Sequence, residues 1–251
     1  MSIIRNADDF GKSEEVNKAI LTCFREGLID RTTLMVNMPY ADEAVDAAFK
    51  EGIADKVGIH LNLTEGEPLT MPIRQNPLFC GSDGKFHALF AQSTKYRLYL
   101  DNLSRTQVLE ELSAQLLKYK EYGLNLFHVD SHHHVHTNYP IYLSVKSLSS
   151  QYDFSSIRLS RNLYHGGNFA MKIYKGLYNK NVKKLCKTST DYFGSFLDFA
   201  GYGNEEELAE LVKNNSVEIM LHPMYKEGVL TDTNTPMSDV CKVLGRYIAG
   251  C

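Results

Sequence analysis

Four extended, apolar-leaning stretches of this chain run into residues that bind metals or move protons, and this recurrence restricts the fold more than any other feature. Ser2-Ile-Ile-Arg-Asn-Ala7 leads into Asp8 and Asp9, and Lys56 to Asn62 carries His60. Leu124-Asn-Leu-Phe-His-Val129 leads into Asp130 and His132, and Ser216 to Leu221 leads into His222. In folds that alternate strands and helices around a parallel sheet, the carboxyl ends of the strands share one face, and active sites are built there. Adjacent side chains on a strand point to opposite sides, so Asp8 and Asp9 act together only where the backbone is already turning, which Gly11 permits.

The segments between these strands carry helical patterns. Ser13 caps a helix to about Arg25, with Val16, Ala19, Ile20, Cys23 and Phe24 on one face and Gly27 as its stop. Thr32 to Asn37 reads as a strand and Asp42 to Lys50 as a helix ending at Gly52. The Gly- and Pro-rich stretch from 64 to about 88 is long for a connection in a compact domain, so it is expected to line or cover a site. Helices follow at Thr106 to Tyr119 and Pro140 to Tyr152, then strands at Ser156 to Ser160 and Tyr192 to Asp198. A basic, aromatic stretch over 163–190 reads as mixed helix and loop. Asn204 starts a helix to Asn214, and Ser238 caps a terminal helix to about Ile248. This βα alternation predicts an α/β fold, and no repeat or linker divides the chain, so residues 1–251 read as a single domain.

Composition narrows the function. The formal net charge is −3 and no Lys/Arg block stands out, so neither nucleic acid nor an anionic membrane is an expected partner. The N-terminus lacks an apolar leader and no run approaches the ~20 apolar residues of a membrane span, so a soluble, cytoplasmic protein acting on a small molecule is expected, with a homodimer left open. The five cysteines are far apart and form no Cys-x-x-Cys, which speaks against a disulfide framework or a thiolate zinc site; Cys23 and Cys241 read as small core residues on helices.

Five of the nine histidines fall within the nine residues His128 to His136. Histidine tags occupy termini, whereas this run sits in mid-chain directly after a strand. Neutral imidazole is the commonest protein metal ligand, so the run marks a bound cation or proton transfer. Two imidazoles and one carboxylate from different strands leave coordination positions open, as a catalytic cation requires, and the expected ligands are Asp9, His60 and His132. His134 and His136 stay ambiguous between ligand, supporting and substrate-facing roles, and His128, earlier on the strand, is expected to be buried.

Asn6-Ala-Asp-Asp-Phe-Gly11, Val57-Gly-Ile-His-Leu-Asn-Leu-Thr-Glu-Gly66, His128-Val-Asp-Ser-His-His-His-Val-His136 and Leu221-His-Pro223 resemble the four signature blocks of the YdjC-type carbohydrate deacetylases, the group that includes chitooligosaccharide deacetylases. The resemblance implies a distorted (β/α) TIM-like barrel that removes N-acetyl groups from amino sugars. It also implies a divalent metal, usually described as Mg²⁺, held through His60 and His132. A more distant similarity is to NodB-type polysaccharide deacetylases, in which the first acid of an Asp-Asp pair is the base and the second a ligand, matching Asp8 and Asp9. Their His-x-x-x-His pair corresponds to His132 and His136, but here His60 takes the place of the second histidine. Imidazole-rich ligation also suits Zn²⁺.

The chemistry is consistent with these roles. Acetamide hydrolysis needs a polarised carbonyl, an activated water and a protonated leaving amine; Asp8 is placed to take a proton from water and His222 to give one to the nitrogen. Asp130 is expected to orient a histidine. Arg158 and Arg161 read either as sugar-binding or as ion-pairing residues. Two alternatives remain: a metal-dependent phosphoesterase or amidohydrolase, whose His-x-His motif also occurs at 132–134 and 134–136, and a non-catalytic metal-binding protein with a closed ligand shell.

Overall fold

The computed structural model describes residues 2–163 and 169–247. Seven parallel strands form one curled sheet: β1 (Ser2–Phe10), β2 (Arg31–Leu34), β3 (Val57–Leu61), β4 (His128–Ser131), β5 (Ser156–Ile157), β6 (Tyr192–Ser195) and β7 (Ser216–Leu221). Their order across the sheet is β5-β4-β3-β2-β1-β7-β6. Between the two outer strands runs an irregular segment. The Arg158 N–H donates to the Val129 carbonyl at 2.9 Å and the Leu163 N–H to the Phe193 carbonyl at 3.1 Å, while Ser156 bridges to Thr188. The result is a distorted TIM-like barrel, as the sequence leads one to expect.

The helices cover the outside: α1 (Glu14–Arg25), α2 (Ala41–Lys50), α3 (Asn102–Glu121), α4 (Tyr139–Ser149), α5 (Phe169–Val182), α6 (Glu205–Asn214) and α7 (Met237–Leu244). Helix α1 begins as its sequence dictates: the Ser13 side chain accepts from the Val16 N–H, and Glu14 and Glu15 occupy the positive end of the helix. Ala19, Ile20 and Cys23 are fully buried against the sheet, with Val16 and Phe24 half-buried at the margin. Cys241, on α7, is only half-buried rather than a core residue.

Several boundaries differ from the sequence reading, each for a local reason. Strand β1 continues to Phe10, so Asp8 and Asp9 lie inside it. Its register against β2 shifts between Ala7 and Phe10, and Asp9 has φ +72°, which makes a bulge that re-aims both carboxylates. The strand at Tyr192 stops at Ser195, whose side chain caps the short helix Phe196–Ala200 in a capping box with Asp198. Helix α3 starts earlier than expected, at Asn102, capped by Asp101. Beyond β7 the chain forms a three-stranded antiparallel sheet, Pro223–Lys226, Val229–Asp232 and Thr235–Pro236, where the sequence analysis assigns no element. Its first turn is made by Glu227 and Gly228, both at positive φ, the conformation a two-residue hairpin needs. Pro236, not Ser238, occupies the N-cap of α7, and the helix ends at Leu244 with Gly245 as its C-cap, short of the expected Ile248, which itself lies outside the described residues. Among the described residues, no helix is long and apolar enough to cross a membrane.

Candidate metal centre

The bulge in β1, the end of β3 and the turn after β4 bring Asp9, His60 and His132 together. Their ligand atoms all lie within 4.8 Å of one another. Asp9 Oδ1 is 2.8 Å from His132 Nδ1 and 3.2 Å from His60 Nε2. The turn of β1 is fixed from behind by Asn17, whose side chain accepts from the Gly11 N–H at 2.8 Å and donates to the Tyr40 carbonyl at 3.1 Å. His132 sits where β4 gives way to a tight turn in which His133 and His134 both adopt positive φ, 52° and 54°.

The donor set suits a divalent cation. His60 is buried, and its Nδ1 lies 2.7 Å from Asp130 Oδ1, so the carboxylate holds the ring with Nε2 turned toward Asp9. Burial alone would lower the His60 pKa, but Asp130 and Asp9 overcome it and push it up to about 10. The His132 pKa is raised in the same way, with hydrogen bonds to Asp9 and Glu65 outweighing burial. Desolvation of Asp9 is likewise outweighed by His132 and His60, which hold its carboxyl well below the usual range. The cluster therefore draws positive charge strongly, which is the property of a cation site built from one carboxylate and two imidazoles.

A second group, Asp8, His60 and Asp130, also lies within 4.8 Å, but its charge is already balanced. Arg158 is fully buried and pairs with Asp8 through two contacts of 2.6 and 2.7 Å, with Asp130 at 2.7 Å and with Glu218 at 2.7 Å. Glu218 pairs in turn with Arg31 at 2.9 Å. Arg158 is therefore an internal counter-ion for three carboxylates, which resolves the choice between its sugar-binding and ion-pairing readings. Arg161 also pairs internally, with Asp198 at 2.6 Å.

Asp8 is buried and accepts from Arg158 and from Asn6 Nδ2 at 2.8 Å, so three of its roughly four acceptor positions are engaged. His222 follows Leu221, which pairs in register with Ala7, so it stands at the strand end beside Asp8. Its backbone N–H donates to Asp232 Oδ1 at 2.7 Å. Burial raises the Asp232 pKa, against the pull of the His222 N–H.

The remaining histidines separate by environment. His136 is fully buried, with Nδ1 2.6 Å from Ser131 Oγ and Nε2 3.2 Å from the Arg158 carbonyl, so both ring nitrogens are committed to the fold. His134 packs edge-on against Phe193, and its buried Nδ1 has no hydrogen-bond partner. His133 Nδ1 is 3.0 Å from Thr64 Oγ1, and the buried His128 has Nδ1 2.7 Å from Ser156 Oγ.

Burial pushes the His136 pKa down to about 4 and lowers those of His128 and His134. Each of these groups takes up a proton near pH 6.5 when the chain unfolds, so its contribution to stability is complete above that pH and is lost as the pH falls toward the folded value. His136 alone is worth about 3 kcal/mol across this interval. His60 and His132, with raised folded pKa values, contribute stability that is present below pH 6.5 and lost only as the pH rises through those values. Urea unfolding of the metal-free protein is therefore expected to give a stability that declines steadily from pH 6.5 to 4; a flat profile there would contradict the assignment of neutral, buried imidazoles.

Glu65, which the sequence reading left inside the covering loop, is the main residue it missed. Its Oε2 lies 2.9 Å from His132 Nε2 and 2.8 Å from Lys12 Nζ. The His132 contact, more than Lys12, pulls the Glu65 pKa down to about 2. The one signal for it in the sequence is its place three residues past Asn62, in the block that carries His60. Lys12, Glu218, Arg31 and Asp232 carried no local signal, because each acts through a partner distant in sequence.

The chain matches the YdjC-like protein family over residues 2–242. A "Carbohydrate deacetylase" of Halalkalibacterium halodurans is 32% identical over 232 residues, covering 92% of this chain and 88% of that protein. A protein of the same name from Brevibacillus brevis is 33% identical over 244 residues, covering 93% of this chain and 86% of the other. Among solved structures, a putative cellobiose-phosphate cleavage protein from Enterococcus faecalis V583 superposes with a TM-score of 0.64 at 22% identity, covering 99% of this chain and 85% of that one, a likeness of fold. With a family match from residue 2 to residue 242 and relatives above 30% identity across most of both chains, this chain belongs to the YdjC-like family.

Proposed function

We propose that this protein is a metal-dependent carbohydrate deacetylase that releases acetate from N-acetylated amino sugars or short chitooligosaccharides. The observation that carries the reading is the convergence of Asp9, His60 and His132 beside the buried carboxylate of Asp8 at the carboxyl ends of β1, β3 and β4. The names of the relatives support the same chemistry.

Asp9, His60 and His132 would hold a divalent cation, which would supply Lewis acidity for an amide oxygen and for a bound water. Mg²⁺ is the metal the family resemblance implies, and Zn²⁺ suits the two imidazoles better by ligand preference. Asp8 is the proposed proton acceptor. Arg158 and Asn6 fix its carboxylate in one orientation, so it takes a proton without first reorganising. His222, partly exposed at the neighbouring strand end, is the proposed donor to the departing nitrogen. Asp130 and Arg158 support the site from below, while His136 serves the fold.

A metal-dependent phosphoesterase or amidohydrolase is the competing class, but β1 presents Asn-Ala-Asp-Asp where those enzymes carry His-x-His. The metal-reconstituted protein is expected to release acetate from N,N'-diacetylchitobiose and no phosphate from p-nitrophenyl phosphate. The reverse pattern would overturn the proposal.

A further inference from the structure

The two histidines of the centre are held from opposite ring nitrogens. His60 meets Asp130 through Nδ1 and turns Nε2 toward Asp9; His132 meets Glu65 through Nε2 and turns Nδ1 toward Asp9. Each imidazole thus has a carboxylate on its outer nitrogen and faces the same Asp9 oxygen with the other. An imidazole whose outer N–H is held by a carboxylate is fixed in tautomer and orientation and binds a metal more strongly.

Glu65 is built into place. The Asn62 side chain accepts from the Glu65 N–H at 3.2 Å and donates to its carbonyl at 2.6 Å, and Asn37 Nδ2 reaches the same carbonyl at 3.2 Å. Asn62 is itself clamped at its backbone by Gln115, whose side chain accepts from its N–H at 2.9 Å and donates to its carbonyl at 2.7 Å. Gln115 also donates to Glu111, which accepts from the Leu69 and Thr70 N–H groups farther along the same loop. A polar stripe of α3, buried where an amphipathic helix would be apolar, therefore fixes the loop that delivers Glu65 to His132. Lys12 balances the carboxylate from the other side.

We infer that Glu65 is the positioning residue for His132: it accepts the Nε2 proton and so presents Nδ1 as the metal-binding nitrogen, the mirror of what Asp130 does for His60. The inference rests on the metal-site reading above. Unlike Asp130, Glu65 is partly exposed and belongs to a loop, so it can be replaced without emptying the barrel interior.

The test titrates Zn²⁺ into metal-free wild type, Glu65→Gln, Glu65→Ala and His132→Ala by calorimetry. Long-range ¹H–¹⁵N spectra of the Zn²⁺-loaded proteins then read which His132 nitrogen is ligated. Wild type is expected to show Nδ1 ligation with a protonated Nε2. Glu65→Ala should bind Zn²⁺ about 10- to 100-fold more weakly, and Glu65→Gln, which keeps an acceptor but not the charge, should fall between, with thermal midpoints of the metal-free variants near wild type. Unchanged affinity in Glu65→Ala while His132→Ala is impaired, or Nε2 ligation in wild type, overturns the inference and leaves the metal site standing. Undiminished binding in His132→Ala overturns both.

Discussion

Replacing Arg158 with methionine is expected to abolish the native fold or to lower its stability by about 3–5 kcal/mol, the largest structural effect of any single substitution in the chain. The guanidinium is fully buried and contacts Asp8, Asp130 and Glu218, and it lies over the Phe193 ring at 4.8 Å from the centroid. Methionine fills similar space, so packing loss is minor. The cost comes from buried carboxylates that lose their shared guanidinium: Arg31 still balances Glu218 and His60 still faces Asp130, but Asp8 keeps only the Asn6 amide. A typical domain has ~5–15 kcal/mol of stability, so a loss of this size leaves little of it. Urea unfolding checks the expectation, and adding Asp8→Asn and Glu218→Gln to the Arg158→Met protein should restore part of the loss. Wild-type stability in the single variant would mean that the carboxylates are protonated or hydrated, and the account of the barrel interior would be wrong.

That interior was also the least legible part of the sequence. Glu218 sits within Ser-Val-Glu-Ile-Met-Leu, which reads as an apolar strand, and its partners Arg31 and Arg158 lie far away in sequence. Charges paired across a barrel leave no local period for a sequence to display. The same holds for α3, where Val108, Leu112, Leu116 and Tyr119 mark a helix correctly, but Gln107, Glu111 and Gln115 are buried beside them for the sake of the loop they hold. The antiparallel hairpin after Pro223 is hard to read because its turn, Glu-Gly, is a weaker signal than Asn-Gly, and its strands are four residues long with exposed apolar side chains at Met224, Tyr225 and Val229, so no alternation of apolar and polar residues marks them.

What could be read was the convergence. Strand ends carry their meaning locally: a strand pattern, then Asp-Asp, His, or Asp-x-His, then a turn. The β-α alternation supplies the geometry that brings such ends to one face, and Ser13, Gly11 and Asn204 mark element boundaries through capping and turn chemistry that depends on only a few neighbouring residues. What the sequence leaves undivided is the labour among the histidines. Five in nine residues look equivalent until their partners separate them: His132 beside Asp9, His136 committed to Ser131 and the Arg158 carbonyl, His128 paired with Ser156 at the start of β4.

The second large effect falls on activity. Asp8→Asn keeps the shape and one of the two hydrogen bonds from Arg158 but removes the proton acceptor, so acetate release should fall by ~10²–10⁴-fold, the usual contribution of a general base, while the protein still takes up metal through Asp9, His60 and His132. His132→Ala should lose both activity and metal. The measurement that tests the central claim most directly is therefore acetate release from N,N'-diacetylchitobiose, run beside metal content, for wild type, Asp8→Asn and His132→Ala after stripping and reconstitution. The account expects wild type to be active only with metal, Asp8→Asn to be loaded but inactive, and His132→Ala to be both empty and inactive. Full acetate release by the stripped wild type, or by His132→Ala, would contradict it.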